Sequence, residues 1–186
     1  NLLLPSLAQG NHSTTLEARR TSSVSLRNIV TEVCDIQRLT TPSHEIAVTG
    51  TWPSVPIHGD PQLLRQLFAN LLINAYEAMD GRGTVTISAV GTRLDDGFEG
   101  RDAVRIELAD NGPGMPPDVA DHVFAPFFTT KPQGSGLGLA IVRKIVDAHD
   151  GQIDLETAVG SGTRIRITLP VAGTEDIGTA IAVPRG

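Results

Sequence analysis

Apolar residues recur at helical spacing in three parts of the chain. From Val24 onward the spacing predicts an amphipathic helix with an apolar stripe of Leu26, Ile29, Val30, Val33 and Ile36. A second helix has a defined start, because Asp60 is a good N-cap and Pro61 suits the first helical position. Its apolar stripe comprises Leu64, Leu67, Phe68, Leu71, Leu72, Ala75 and Met79. A third helix is predicted from about Gly136 to Ala148.

Shorter segments alternate apolar with polar residues and predict strands. These segments lie around Ile46, around Ile57, at 85–87, at 104–108, and in a hairpin that joins 153–155 to 165–169. Residues 95–100, rich in Asp and Gly, predict a loop. This order of helices and strands predicts an α+β fold, with a mixed sheet and its helices packed on one face.

The two ends of the chain lack this periodicity. Residues 1–22 predict a linker or the end of a preceding helix, and residues 171–186 predict a disordered tail. Residues 23–170 then form one domain. The chain starts at Asn1, so we expect it to be a fragment of a longer protein. No apolar run reaches the roughly 18 residues that a membrane span needs.

Composition narrows the classes of function. The net charge of −6 disfavours nucleic-acid binding, because that affinity depends on Lys and Arg neutralising phosphates. Cys34, the single cysteine, falls on the apolar side of the first helix, which favours core packing over a reactive thiol.

Four segments in a fixed order carry the chemistry. They are Asn-Leu-Leu-Ile-Asn-Ala at 70–75, Asp-Asn-Gly-Pro-Gly-Met at 110–115, Pro-Phe-Phe-Thr-Thr-Lys at 126–131 and Gly-Ser-Gly-Leu-Gly-Leu at 134–139. Together they resemble the ATP-binding catalytic domain of bacterial sensor histidine kinases, which has the Bergerat fold, and the nitrogen-regulation type above all. The resemblance covers roughly residues 24–170.

This resemblance implies a two-layer α/β sandwich that uses ATP and Mg²⁺. It also implies transfer of the γ-phosphoryl group to a histidine on a dimerisation domain, and from there to an aspartate of a response regulator. The parent kinase would be a homodimer with this domain in the cytoplasm. A membrane anchor in the parent and a monomeric state of the fragment are both left open.

Residues Asn70, Asn74 and Glu77 lie on one strip of the second predicted helix. A polar helix margin is the plain interpretation of this spacing. The resemblance implies instead that Asn74 holds Mg²⁺ with Asn70 nearby. Related Bergerat ATPases carry a glutamate general base at the position of Asn70, and an amide cannot take that role. This difference favours a kinase over a hydrolase, with Glu77 as a helper base.

The segment that begins at Asp110 is interpreted as the adenine end of the pocket. An Asp that initiates a turn is common. In the family, however, the matching carboxylate accepts a hydrogen bond from the adenine amine. Gly112 and Gly114 would let the backbone approach the base closely. Thr163 resembles the last motif of the family, although a Gly-rich hairpin turn explains that segment equally well.

The glycines of 134–138 come just before a predicted helix, where free amides and the helix dipole form an anion site. Lys131 would contact a phosphate. Residues 116–133 would form the nucleotide lid, in which Phe127 either docks against the ligand or partner or packs in the core. The predicted catalytic residues are Asn70, Glu77 and Lys131. The predicted ATP-binding residues are Asn70, Asn74, Asp110, Gly112, Gly114, Phe127, Thr130, Lys131, Gly134, Ser135, Gly136, Leu137, Gly138 and Thr163, and the predicted metal ligand is Asn74.

No histidine of the chain has the context of a phospho-acceptor. His44-Glu45 lacks the Arg and Pro of the family motif and lies between Pro42 and a predicted strand, so we interpret it as a chance match. The acceptor is therefore expected on a domain outside this chain. Two alternatives stay open: a serine kinase of the anti-sigma type on the same fold, and a module that senses nucleotide without catalysis.

Overall fold

The computed structural model describes residues 22–40, 44–49, 52–54, 56–80, 82–94, 101–132 and 134–172, with the side chain of His44 left out. The predicted loop at 95–100 and most of both predicted termini lie outside these ranges. The elements in chain order are β1 (Ser23–Val24), α1 (Leu26–Thr40), β2 (His44–Thr49), β3 (Ile57–His58), α2 (Pro61–Ala78), β4 (Gly83–Leu94), β5 (Arg101–Asp110), α3 (Pro117–Ala120), α4 (Gly138–Ala148), β6 (Gln152–Thr157) and β7 (Thr163–Pro170).

The main sheet has five strands in the order β2-β4-β5-β7-β6. Strand β2 runs parallel to β4, and the other neighbours are antiparallel, so the sheet is mixed. Strands β1 and β3 form a separate antiparallel pair. The predicted α+β fold with a five-stranded mixed sheet is therefore confirmed.

Alternation along the strands puts apolar rows on one face of the sheet. Ile87 pairs with Leu108 and Leu108 with Ile165, while Ala89, Ile106 and Ile167 form the next row. All six of these side chains are buried. Because side chains of a strand alternate between faces, Glu107 and Arg166 lie on the opposite face and form an ion pair there.

Helices α1, α2 and α4 cover the apolar face. Leu64, Leu67, Phe68, Leu71 and Leu72 of α2 are at most 2% exposed and belong to the same core cluster as the strand rows. Helix α2 begins as predicted, with Asp60 Oδ1 accepting hydrogen bonds from the amides of Gln62 and Leu63. Transfer of this much apolar surface from water is the main free-energy gain of folding.

Buried His149 joins the start of α2 to the end of α4. Its Nε2 accepts a hydrogen bond from the Asp60 amide at 3.2 Å, and its Nδ1 lies 2.7 Å from the Ile145 carbonyl oxygen. A carbonyl cannot donate, so Nδ1 carries the proton and Nε2 is the acceptor. His149 therefore has a structural role, since it holds the start of α2 against the end of α4.

Several predicted boundaries were wrong. The first helix begins at Leu26, because Val24 pairs with Ile57 in a strand, and Ile36 is 51% exposed. The third helix begins at Gly138, because Gly136 has a φ of +65° that a helix cannot contain. The helix α3 was not predicted, since a single turn shows no apolar period.

The polypeptide remains paired just beyond β7. The amide of Val171 donates to Asp102 O, and the amide of Ala172 donates to Pro56 O. The predicted disordered tail otherwise lies outside the described residues. Strand β2 includes His44 and Glu45, as the chance-match interpretation requires, because the acceptor motif of the family lies in a helix.

Candidate functional site

One cavity of ≈ 610 Å³ lies between α2, the segments 113–131 and 134–139, and the ends of β5 and β7. It brings together twelve of the predicted site residues, which come from four separate segments of the chain. They are Asn70, Asn74, Glu77, Asp110, Gly114, Thr130, Lys131, Gly134, Ser135, Gly136, Gly138 and Thr163. The predicted residues Gly112, Phe127 and Leu137 do not line it.

Asp110 lies at the end of β5 on the face that carries the core. Val104, Ile106 and Leu108 precede it at alternate positions and are buried, so its carboxylate continues that apolar row. Its Oδ1 accepts hydrogen bonds from the amides of Gly112 (2.9 Å) and Thr163 (3.2 Å). Burial raises the pKa of Asp110, and these two hydrogen bonds oppose that rise.

The turn after Asp110 is anchored from two sides. Asn111 exchanges hydrogen bonds with Thr84, through its own amide and through Oδ1, and so holds the turn against β4. The Gly160 amide donates to Pro113 O on the other side. Gly114 has a φ of +66°, and a Cβ there would overlap the Ala158 carbonyl oxygen, so the turn requires glycine at this position.

At the opposite end of the cavity, the Nδ2 atoms of Asn70 and Asn74 are buried and have no hydrogen-bond partner within the described part of the chain. A buried amide without partners is costly, so these two groups are suited to hydrogen-bond a ligand in the cavity. Gly138 approaches Asn74 so closely that a Cβ would lie 3.2 Å from Nδ2. Since the orientation of a carboxamide is assigned rather than observed, its oxygen can equally face the cavity.

Within the described ranges, no cluster of three or more His, Cys, Asp or Glu could hold a metal ion. A cation in this cavity would therefore depend on amide oxygens, water and the ligand's own phosphates. Mg²⁺ prefers hard oxygen ligands and usually keeps water and substrate phosphates, so the residues present are compatible with it.

Lys131 and Glu77 both line the cavity and form an ion pair with each other. Lys131 Nζ lies 2.5 Å from Glu77 Oε2, and the two side chains are 37% and 52% exposed. Thr129 Oγ1 accepts a hydrogen bond from the Lys131 amide and so fixes the local turn. The pair links the segment that contains Lys131 to α2.

The glycine segment 134–138 leads into α4, whose N-cap residue Leu137 makes no side-chain capping bond. The Leu137 amide donates to Ser135 Oγ at 3.3 Å, and the Gly136 carbonyl accepts from Phe127 at 2.9 Å. The first turn of α4 therefore offers amide donors at the positive end of the helix dipole.

The two phenylalanines of the lid have opposite environments. Phe128 lines the cavity, and its ring lies 5.7 Å from that of His122. Phe127 is 77% exposed with a φ of +66°, so the core-packing alternative for Phe127 was wrong. Its predicted contact with the nucleotide stays a prediction, since its side chain lies outside the cavity in this state.

Sequence reasoning missed much of the apolar lining, which includes Leu71, Leu108, Val119, Val123, Leu139 and Ile165. Several of these residues belong to the stripes that predict the core. An apolar pattern indicates burial and cannot distinguish a packed neighbour from a cavity wall.

The chain belongs to the family described as histidine kinase-, DNA gyrase B- and HSP90-like ATPases, whose family model matches residues 59–173. It is 42% identical over 139 residues to the sensory histidine kinase/phosphatase NtrB of Rhodobacter capsulatus. That match covers 72% of this chain and 39% of the relative, so the chain spans about two fifths of that protein. The resemblance to kinases of the nitrogen-regulation type is thereby confirmed.

Solved structures of histidine kinases share the fold. The mycobacterial sensor histidine kinase MprB matches 82% of this chain and 99% of its own, with 29% identity and a TM-score of 0.67. Full-length ShkA, determined in complex with AMPPNP, matches 82% of this chain and 31% of its own, with 29% identity and a TM-score of 0.69.

These similarities confirm a Bergerat-type ATPase domain of the histidine kinase class and, with it, the use of nucleotide. None of the helices in the described ranges is both long and apolar enough to cross a membrane.

Proposed function

We propose that this chain is the catalytic domain that binds Mg-ATP in a sensor histidine kinase and delivers the γ-phosphoryl group to a histidine of the parent's dimerisation domain. The observation that carries the proposal is the cavity itself. It has a carboxylate at one end, at Asp110, and two partnerless asparagine amides with a helix N-terminus at the other. These ends suit a nucleobase and a triphosphate respectively.

The adenine amine would be bound by Asp110. Oδ1 already accepts two amide hydrogen bonds, which leaves Oδ2 available for an N–H of the ligand. Guanine presents a carbonyl oxygen at the corresponding position and would face the carboxylate with an acceptor. The apolar lining around Leu108 and Ile165 would pack against the ring.

The phosphates would lie against the start of α4, with Lys131 contacting one of them. Free amides at a helix N-terminus favour bound anions, and Leu137 contributes no capping side chain to compete with them. Asn74 would hold Mg²⁺ through its amide oxygen, with Asn70 beside it. The ion would supply charge neutralisation on the phosphates.

Transfer rather than hydrolysis is favoured by the residues that face the γ-phosphate end. Asn70 carries no carboxylate, so it cannot activate water as a general base. An imidazole nitrogen needs less activation than water. It would form the new P–N bond while the bond to the β-phosphate oxygen breaks and ADP leaves. Glu77 would accept the proton of the attacking imidazole once Lys131 moves to the phosphate.

We further propose that residues 23–170 form the catalytic unit. The parent kinase would be a homodimer whose phosphohistidine is passed to a response regulator. A nucleic-acid partner is disfavoured by the net charge of −6.

Calorimetric titration of ADP, with and without Mg²⁺ and with GDP as control, tests the binding half of the proposal. Selective binding of ADP that Mg²⁺ strengthens is expected. The transfer half is tested by adding labelled ATP and the dimerisation domain of the parent. Acid-labile phosphate on that domain is the expected result, whereas acid-stable phosphate would indicate a serine kinase. Nucleotide binding without any transfer would favour the alternative of a module that senses nucleotide without catalysis.

A further inference from the structure

Thr157 lies in a polar row at the end of the sheet. On the core-facing side, Thr157 of β6 pairs with Thr163 of β7, and Thr163 pairs with Asp110 of β5. The next row inward, Leu155, Ile165 and Leu108, is apolar. Thr163 and Asp110 line the cavity, whereas Thr157 lies on the next strand, β6, and does not line it.

The hydroxyl of Thr157 contacts three groups from two turns. Oγ1 donates to the Gly162 carbonyl at 2.9 Å, accepts from the Met115 amide at 3.0 Å, and lies 3.2 Å from Thr163 Oγ1. It thereby joins the turn after Asp110 to the turn that leads into β7.

These contacts determine the direction of every proton in the group. A carbonyl oxygen can only accept, so the single hydroxyl proton of Thr157 points to Gly162. The contact between the two threonines must then use the proton of Thr163. The amide of Thr163 is also engaged, because it donates to Asp110 Oδ1.

We propose that Thr157 is a positioning residue that makes Thr163 a hydrogen-bond acceptor toward the cavity and so selects ligands with an N–H donor at the adenine amine position. With its proton directed at Thr157, Thr163 Oγ1 has only lone pairs for the cavity. Asp110 Oδ2 is the second acceptor at this end. A 6-amino purine matches two acceptors, whereas a 6-oxo purine presents a carbonyl oxygen to both.

This inference rests on the proposed function, because it assumes that the base lies at the Asp110 end. Thr157 itself touches no ligand in the proposal. Thr157 acts through the Thr163 hydroxyl. When Thr157 Oγ1 no longer accepts its hydrogen bond, the Thr163 hydroxyl can rotate and direct its proton into the cavity.

The test compares ADP with IDP, whose base carries a 6-oxo group, by calorimetry on the wild-type chain and on Thr157→Val. Valine keeps the branched shape and the strand preference but removes the hydroxyl. Loss of the hydrogen-bond acceptor lets Thr163 donate to the 6-oxo group. The ADP-to-IDP affinity ratio is therefore expected to fall about tenfold. Thr157→Ser retains the hydroxyl and should restore the ratio.

Thr49→Val, on an exposed position of β2, is the matched control and should leave both affinities unchanged. Hydrogen exchange of the Met115 amide adds a readout without nucleotide, since Thr157→Val should accelerate it and Thr157→Ser should not. A folded Thr157→Val chain that binds ADP with an unchanged ratio would overturn the role of Thr157 alone. A wild-type chain that binds neither nucleotide would overturn the proposed function together with this inference.

Discussion

Lys131 and Glu77, which are 54 residues apart in sequence, form an ion pair in the lining of the cavity. Both residues are predicted to act on the nucleotide, one on a phosphate and the other on the attacking imidazole. Within this ion pair each side chain neutralises the charge of the other. In the proposed function, binding of a triphosphate would replace Glu77 with a phosphate as the partner of Lys131.

Replacing Glu77 with Gln should separate binding from catalysis. The variant releases Lys131 and removes a negative charge near the phosphates. Because an exposed ion pair is worth at most about 1 kcal/mol, ATP affinity should rise by no more than about fivefold. Phosphotransfer should fall by about 10²-fold if Glu77 is the helper base. Calorimetry and transfer of labelled phosphate measure the two effects.

The control for this variant is Asp147→Asn, which breaks the exposed pair with Arg143 on α4. It should change neither quantity, because neither residue lines the cavity. Parallel loss of affinity and transfer in Glu77→Gln would contradict separate roles for the pair.

Asn74→Ala should abolish the dependence of ADP affinity on Mg²⁺. The substitution removes the amide oxygen proposed as the metal ligand but keeps the helix, since Ala has the highest helix propensity. Titrations at several Mg²⁺ concentrations measure the effect. Asn28→Ala, at an exposed position of α1, is the control. The metal assignment fails if Asn74→Ala retains the Mg²⁺ dependence of the wild-type chain.

Asp110→Asn should weaken ADP binding by about 10- to 100-fold, because a hydrogen bond to a charged group is worth about 1.5–3 kcal/mol. The Asn oxygen can still accept from Gly112 and Thr163, so the turn should persist. The amide nitrogen then faces the ligand as a donor, which should reduce discrimination against GDP. Asp102→Asn, at the exposed other end of β5, is the control. An unaltered ADP-to-GDP ratio would refute the adenine role.

The same carboxylate predicts the direction of a pH effect. Burial raises the pKa of Asp110 above its usual 3.8, so the neutral form persists to higher pH in the folded chain than in the unfolded one. Its stabilising contribution is fully present below the unfolded value and is lost as pH rises through the folded value. Relative to wild type, Asp110→Asn should gain free energy of unfolding as pH rises across that interval.

ADP affinity should change in the opposite sense, because the ionised form of Asp110 is the form that accepts the hydrogen bond from the adenine amine. Affinity is expected to fall as pH drops through the raised pKa. Urea unfolding and calorimetry between about pH 4 and pH 7 measure both trends. A stability difference between variant and wild type that is independent of pH would contradict the assignment of this carboxyl as buried.

Cys34 should be inert in the folded chain. It is 0% exposed, and burial raises the pKa of its thiol to about 11. Only the thiolate reacts, so a thiol reagent at pH 8 should label the native chain far more slowly than the chain in urea. Equal rates in the two conditions would show that α1 is not packed as described.

Local patterns predicted the elements that local physics determines. The start of α2 follows from Asp60 and Pro61, whose capping and fixed φ act within one turn. The core strands follow from alternation, which has the period of the pleat. Strand β5 extends two residues beyond the predicted 104–108 and so brings Asp110 to its end, where it lines the cavity.

Contacts between distant segments were not predictable in this way. Nothing near Glu77 in sequence indicates that Lys131 lies opposite, and a single Thr157 in a strand has no pattern at all. Phe127 and Phe128 have equal hydropathy, yet the positive φ of Phe127 turns one ring outward and leaves the other at the cavity. Such choices depend on the assembled fold.

The rows of side chains on the sheet have a further consequence. The rows of Val104 and Ile106 are filled by the chain itself, whereas the rows of Leu108 with Ile165 and of Asp110 with Thr163 open into the cavity. On the proposed placement, the purine ring completes this interior layer as a flat aromatic side chain would. Part of the core of the domain would then be supplied by the bound nucleotide. The melting temperature of the domain should therefore rise with the concentration of adenine nucleotide.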